Sequence, residues 1–185
     1  MDQARRDDAA LVAAARDGDL DSFEALVRAY TPTVYAHAYR FFGDGPSAED
    51  AVQEVFVKVF RSLSDFDGKS SFSTWVYRIT RNTCIDLFRA GKKRPLPIDP
   101  LDASTPHAIS EDPAAAATLS TAIEHAMTML PPEDRDALSA VSVFGLSYAE
   151  AAVALGVPAG TVKSRVFRAR RTLASALGMS SREAS

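Results

Sequence analysis

The chain has 185 residues, 46% of them hydrophobic and 24% charged, with a formal net charge of −3 at pH 7; that suits one ordinary domain or two small ones with a folded core. No apolar run approaches the roughly 18 to 20 residues of a membrane span, and the acidic opening MDQARRDDAA is unlike a secretory leader, so no membrane insertion and a cytoplasmic location are expected. A single cysteine, Cys84, excludes an internal disulfide, and His37, His107 and His125 are too scattered to suggest a metal site. No metal or cofactor is expected, and Cys84 reads as a small buried residue.

The first predicted element is a short alanine-rich helix over residues 8–16, closed by Gly18. A second, over residues 22–42, carries Phe23, Leu26, Val27, Tyr30, Val34 and Ala38 at helical spacing, with a kink expected at Pro32. The stretch SAEDAVQEVFVKVFRSL follows. Ser47 and Asp50 have the spacing of a capping box, and Val52, Val55, Phe56, Val59, Phe60 and Leu63 form an unbroken apolar stripe. On the other face Asp50, Gln53, Glu54 and Val57 lie together, which fits either a solvated face with acids near the helix N-terminus or a docking patch for a basic partner.

After the loop SDFDGKSS comes FSTWVYRITRNTCIDLFRAGKKR. Val76, Ile79, Thr83 and Leu87 can form its packed stripe, leaving Arg78, Arg81, Arg89, Lys92, Lys93 and Arg94 as a basic group against Asp86. Cations late in a helix favour its dipole. Phe72, Trp75 and Tyr77 are interleaved with them, and that mixture also suits a surface on which nucleic-acid bases stack.

Charge and proline content then change together. Residues 1–94 have a local balance of 0, residues 95–130 of −5 and residues 131–185 of +2. Five of the ten prolines fall in residues 95–113, where each removes an amide donor and disfavours helix before it. The segment reads as a linker between two helical domains, since structureless loops beyond about 12 to 15 residues are uncommon within one.

The last block has the clearest architecture. LPPEDRDALSAVSVFG reads as a helix closed by Gly145, and LSYAEAAVALG has Ser147 and Glu150 as a capping box with Gly156 as its C-cap. The turn VPAG leads into TVKSRVFRARRTL, which holds five basic residues and no acidic one. At about 100° per residue, Val162, Val166, Ala169, Leu173 and Leu177 share one face, while Ser164, Phe167, Arg168 and Arg171 share the other. Helix, glycine-containing turn and basic helix make a helix-turn-helix, whose second helix enters the major groove; the bland alternative is a pair of bundle helices with a solvated basic face.

The segments SAEDAVQEVFVKVFRSLSDFDGKSSFSTWVYRITRNTCIDLFR and LPPEDRDALSAVSVFGLSYAEAAVALGVPAGTVKSRVFRARRTL together resemble a bacterial extracytoplasmic-function (ECF, group IV) RNA polymerase sigma factor, in its regions 2 and 4. The resemblance implies an all-α fold of two small domains: region 2 over residues 1–94, a Pro-rich acidic linker over 95–117, region 4 over 118–178 and a tail over 179–185. It implies core RNA polymerase (through its β′ coiled coil and β flap) and promoter DNA as partners, and a partner anti-sigma factor in the resting cell. Asp50, Gln53, Glu54 and Val57 map onto the polymerase-docking face. The loop over residues 64–71 and the helix after it match the part that captures a flipped base of the −10 element, with Phe66, Lys69, Trp75, Arg78, Arg81 and Asn82 as its residues. Lys163, Ser164, Arg165, Phe167, Arg168 and Arg171 match the readers and phosphate contacts of the −35 element.

The expected function is therefore promoter-specific transcription initiation with no catalytic chemistry, since the chain has no phosphate-cradling glycine loop, metal cluster or nucleophile beside a base. The rival is a free-standing helix-turn-helix regulator that never enters polymerase, whose N-terminal block would sense a ligand or dimerise. A third reading, an adaptor that never touches DNA, requires the outer face of the last helix to be dispensable.

Overall fold

The computed structural model describes residues 2–91, 123, 126–127 and 129–178, and the expected linker and tail lie outside them. Among the described residues there are seven α-helices and no strand: α1 Asp2–Arg16, α2 Leu20–Phe42, α3 Gly45–Ser62, α4 Phe72–Gly91, α5 Pro132–Ser142, α6 Tyr148–Leu155 and α7 Ala159–Ala176. A 3-10 turn, Leu63–Asp65, follows α3. The all-α, two-domain architecture stands, with α1 to α4 in one unit and α5 to α7 in the other.

Several boundaries differ from expectation for local reasons. The first helix starts at Asp2, six residues before the expected start, and α2 starts at Leu20 because Asp19 caps it, accepting from the Asp21 amide. Pro32 lies within a continuous α2. The capping box expected at Ser47 and Asp50 is not the start of α3: Asp44 is the N-cap, its carboxylate accepting the Ser47 amide at 2.7 Å. Gly45 and Pro46 then fill the first turn, where proline's missing N–H costs nothing.

The core stripe of α3 is also rotated from the expected one. Ala48, Ala51, Val55 and Val59 are its buried residues, with Val52 and Phe56 packed beside them, whereas Phe60 is 56% exposed. Two alanines in the first half of α3, Ala48 and Ala51, pack with Ala38 of α2 and Cys84 of α4 and let the helices approach closely, while Phe60 near the other end stands outward against the edge of Phe23.

In the second unit the expected elements hold. Ser147 and Glu150 form the capping box of α6, and Gly156 ends it in the left-handed conformation at φ 67°. That residue starts the turn into α7, whose Val162, Val166 and Ala169 are buried against α5 and α6.

The two units share one core. Helix α4 packs on α6, and a single apolar cluster runs from Val12 and Leu26 through Val76 and Tyr77 to Phe144, Ala151 and Val166. Phe144 enters the first unit edge-on to Tyr77 at 5.1 Å and to His37 at 5.8 Å between ring centroids.

Candidate functional site

Helix α7 presents Lys163, Ser164, Phe167, Arg168 and Arg171 to solvent, with Arg165 half-buried. Phe167 is 63% exposed, an apolar ring standing among cations. Arg168 is anchored by a fork: its Nε and Nη2 donate to the two carboxylate oxygens of Asp134 in α5, at 3.0 and 2.7 Å. The Asp134 side chain is 4% exposed and that of Arg168 51%. This hydrogen bond raises the already high Arg168 pKa, so the guanidinium stays charged. Asp134 was absent from the sequence reading; its signal was an acid in the first turn of the helix facing α7.

In the first unit the loop after α3 folds onto α4. Phe66 is buried rather than displayed, packed on Phe72 and Trp75 with centroids 5.8 and 5.1 Å away. Phe72 and Tyr77 are buried too, so of the aromatics expected on a base-stacking surface only Trp75 is partly open. Lys69 is exposed and paired with Asp67 at 2.6 Å, the hydrogen bond lowering the carboxyl pKa and raising that of the amine. A hollow beneath this loop is walled by Phe66, Gly68, Ser70 and Phe72 against Val12 and Arg16 of α1.

On α4, Arg78 and Asn82 are exposed and Arg81 is half-buried. Asn82 opens onto a shallow groove with Lys58, Arg61 and Ile79, at whose floor the buried Thr83 Oγ1 has no hydrogen-bond partner among the described residues. Arg61 escaped the sequence reading because α3 was read only for its apolar and acidic faces.

The acidic face of α3 exists as expected. Asp50, Gln53 and Val57 are exposed, and Phe60, three residues beyond Val57, joins them. Glu54 is less free: Lys58 bridges it and Asp86 of α4, each at 3.7 Å.

The structure brings the two units together over the side of α4 that carries Tyr77 and Arg81. Arg81 Nε donates to the Asp136 carboxylate at 2.6 Å, and Tyr77 Oη donates to the Asp136 carbonyl at 3.0 Å. Ser71 Oγ donates to Glu150 at 2.8 Å, Ser73 Oγ to the Phe144 carbonyl at 3.0 Å, and His37 Nδ1 meets Ser139 Oγ at 2.6 Å. Burial, with Arg40 and Arg81 nearby, pushes the His37 pKa from 6.5 to about 3.

That depression has a definite sign. His37 stays neutral in the packed state but takes up a proton when exposed, so its contribution is complete above pH 6.5 and is lost as pH falls toward 3. Each pH unit below the unfolded value removes about 1.4 kcal/mol. Urea melts at pH 7.5 and 5.5 are expected to show a larger loss for the wild type than for His37→Phe; equal losses would contradict the assignment.

A unit of three helices with an exposed basic last helix, packed on a helical unit that carries a second group of cations and an acidic face, is an arrangement suited to binding DNA. The families Sigma-70 region 2 and Sigma-70, region 4 match residues 26–94 and 120–173. The chain is 38% identical over 171 residues to the ECF RNA polymerase sigma factor SigE of Mycolicibacterium smegmatis, covering 89% of this chain and 65% of that one. It is 35% identical over 187 residues to the RNA polymerase sigma-H factor of Pseudomonas aeruginosa, covering 96% and 97%. Its fold is similar to that of the sigma factor RpoE in complex with the anti-sigma factor NepR from Bartonella quintana, with a TM-score of 0.68 and 26% identity over 84% of this chain and 96% of that one. The chain belongs to the ECF RNA polymerase sigma factors, which direct promoter-specific initiation.

Proposed function

We propose that this chain is a group IV sigma factor that works in the cytoplasm through three surfaces. The α3 face of Asp50, Gln53, Glu54 and Val57 docks on core RNA polymerase, with Phe60 extending its apolar part. Lys69, Trp75, Arg78, Arg81 and Asn82 hold the −10 element, Arg61 adds a cation beside Asn82, and Phe66 serves from within as a wall of the hollow that receives a flipped base. Extruding a base costs a few kcal/mol and needs such a receptor. Lys163, Ser164, Arg165, Phe167, Arg168 and Arg171 read the −35 element from the major groove. The division follows as residues 1–94, the linker 95–117, residues 118–178 and the tail 179–185.

The observation that carries this reading is the presence of two separate basic surfaces, on α4 and α7, beside an acidic and apolar face on α3 at which Asp50, Gln53 and Val57 are exposed. Size-exclusion chromatography tests it. The chain is expected to co-elute with core polymerase, and promoter fragments are expected to shift only when both are present; a shift by the chain alone, with no co-elution, would favour a free-standing regulator.

The exposed Val57, Phe60 and Phe167 also suit a protein partner that covers them at rest, and the similar Bartonella quintana sigma factor is in complex with an anti-sigma factor. An anti-sigma protein is expected to co-purify from unstressed cells. Recovery only alone or with polymerase would remove this part of the proposal.

A further inference from the structure

The hollow beneath the loop after α3 has a second wall, supplied by α1, to which no role has been assigned. Phe66 and Phe72 line the hollow on the loop side and Val12 on the α1 side, all three buried, so its inner surface is apolar. Its volume is about 270 Å³, just under the roughly 300 to 1,000 Å³ of ligand pockets, which suits one base rather than two. Two charged side chains of α1 stand at it, Asp8 and Arg16. Their positions are about 12 Å apart along the helix axis, the span of a whole nucleotide from base edge to phosphate. The Asp8 carboxylate is held in place: Tyr30 Oη of α2 donates to its Oδ2, and the Tyr30 ring stands edge-on to Phe72 with centroids 5.3 Å apart. That leaves Oδ1 as the acceptor available to a ligand, while Arg16 is exposed.

We infer that α1 reads the base captured in this hollow: Asp8 accepts a hydrogen bond from an exocyclic amine and Arg16 holds the adjoining phosphate, so the site takes adenine, cytosine or guanine and rejects thymine. Thymine has no exocyclic amine, and its ring N–H lies between two carbonyl oxygens that a carboxylate repels. A site built to accept a hydrogen bond discriminates strongly against a ligand that cannot donate it. Guanine gains no advantage over the other two, because a paired grip through its N1–H and N2–H needs both carboxylate oxygens and Tyr30 occupies one. The inference rests on the proposed role of the hollow as receptor of the flipped base, and the experiment tells the two apart.

Holoenzyme is assembled from core polymerase and the full chain and bound to a duplex whose non-template strand carries a short unpaired tract of random sequence; the bound molecules are sequenced. The wild type is expected to show one tract position at which thymine is depleted about tenfold. Asp8→Asn keeps an acceptor for Tyr30 but sets an amide that donates as well as accepts beside the base, and should bring thymine to within about twofold of the other bases. Tyr30→Phe frees the second carboxylate oxygen and should enrich guanine by about threefold or more while thymine stays depleted, a shift that a merely structural Asp8 would not produce. Arg16→Ala should weaken binding of every sequence and lower its salt slope by about one, with thymine still depleted. Circular dichroism melts check that each variant is folded. Thymine depletion that survives Asp8→Asn, or guanine unmoved by Tyr30→Phe, overturns reading by α1 and leaves the base to the loop alone. An unchanged salt slope in Arg16→Ala removes the phosphate contact. A wild-type tract with no base preference at any position overturns the flipped-base role of the hollow itself.

Discussion

Reversing Asp50 and Glu54 together to arginine is expected to abolish binding to core polymerase while leaving the chain folded. The buried side of α3 is made by Ala48, Ala51, Val55 and Val59, none of which the double variant touches. Surface substitutions usually shift stability by within about 0.5 kcal/mol. Glu54 does lose its partner Lys58, but that pair is open to solvent and 3.7 Å apart, so its loss costs less than about 1 kcal/mol. Across an interface with a basic surface, attraction turns into like-charge repulsion worth several kcal/mol. At about 1.4 kcal/mol per tenfold change, affinity falls by orders of magnitude. The α7 face proposed to read DNA is on the other unit and is unchanged. Wild-type transcription by this variant would mean that the face is only solvated.

Removing the Arg168 side chain is expected to have two separable effects. Lost base or phosphate contacts at the −35 element cost about 1 to 3 kcal/mol, seen as a reduced preference for the correct over an altered upstream element. The second effect is structural, because Asp134 loses the fork that neutralises it in a site where it is 4% exposed. An unsatisfied buried group costs about 1 to 3 kcal/mol, and the position of Asp134 in the first turn of α5 softens that through the helix dipole. Arg168→Ala should therefore melt earlier than the wild type, and adding Asp134→Asn should restore stability without restoring −35 preference. An unchanged preference would leave Arg168 a support for α5; an unchanged melt would make the Asp134 fork energetically idle.

The second unit was readable because its signals are local. Ser147 and Glu150 cap within one turn, Gly156 requires a left-handed φ, and the buried and exposed residues of α7 segregate at helical spacing. The first unit was less so because its faces are chosen by neighbours. Six large apolar residues on α3 span more than one helix face, and the close approach of α2 and α4 selects Ala48 and Ala51 for the inside and releases Phe60. Tyr77 and Arg81 have the composition of a nucleic-acid surface, yet their partners lie 59 and 55 residues away in sequence, at Asp136. No spacing within α4 discloses a contact made with the other end of the chain. Phe66 shows the same limit: a loop aromatic reads as an exposed contact until Phe72 and Trp75 are seen to enclose it.

Run-off transcription with purified core polymerase, this chain and genomic promoter fragments tests the central claim most directly. Discrete transcripts are predicted that begin at fixed positions, require the chain, and fail when Asp50 and Glu54 are reversed. Transcripts no different from those of core polymerase alone, on fragments the chain nevertheless binds by itself, would contradict a sigma subunit and leave a helix-turn-helix regulator in its place.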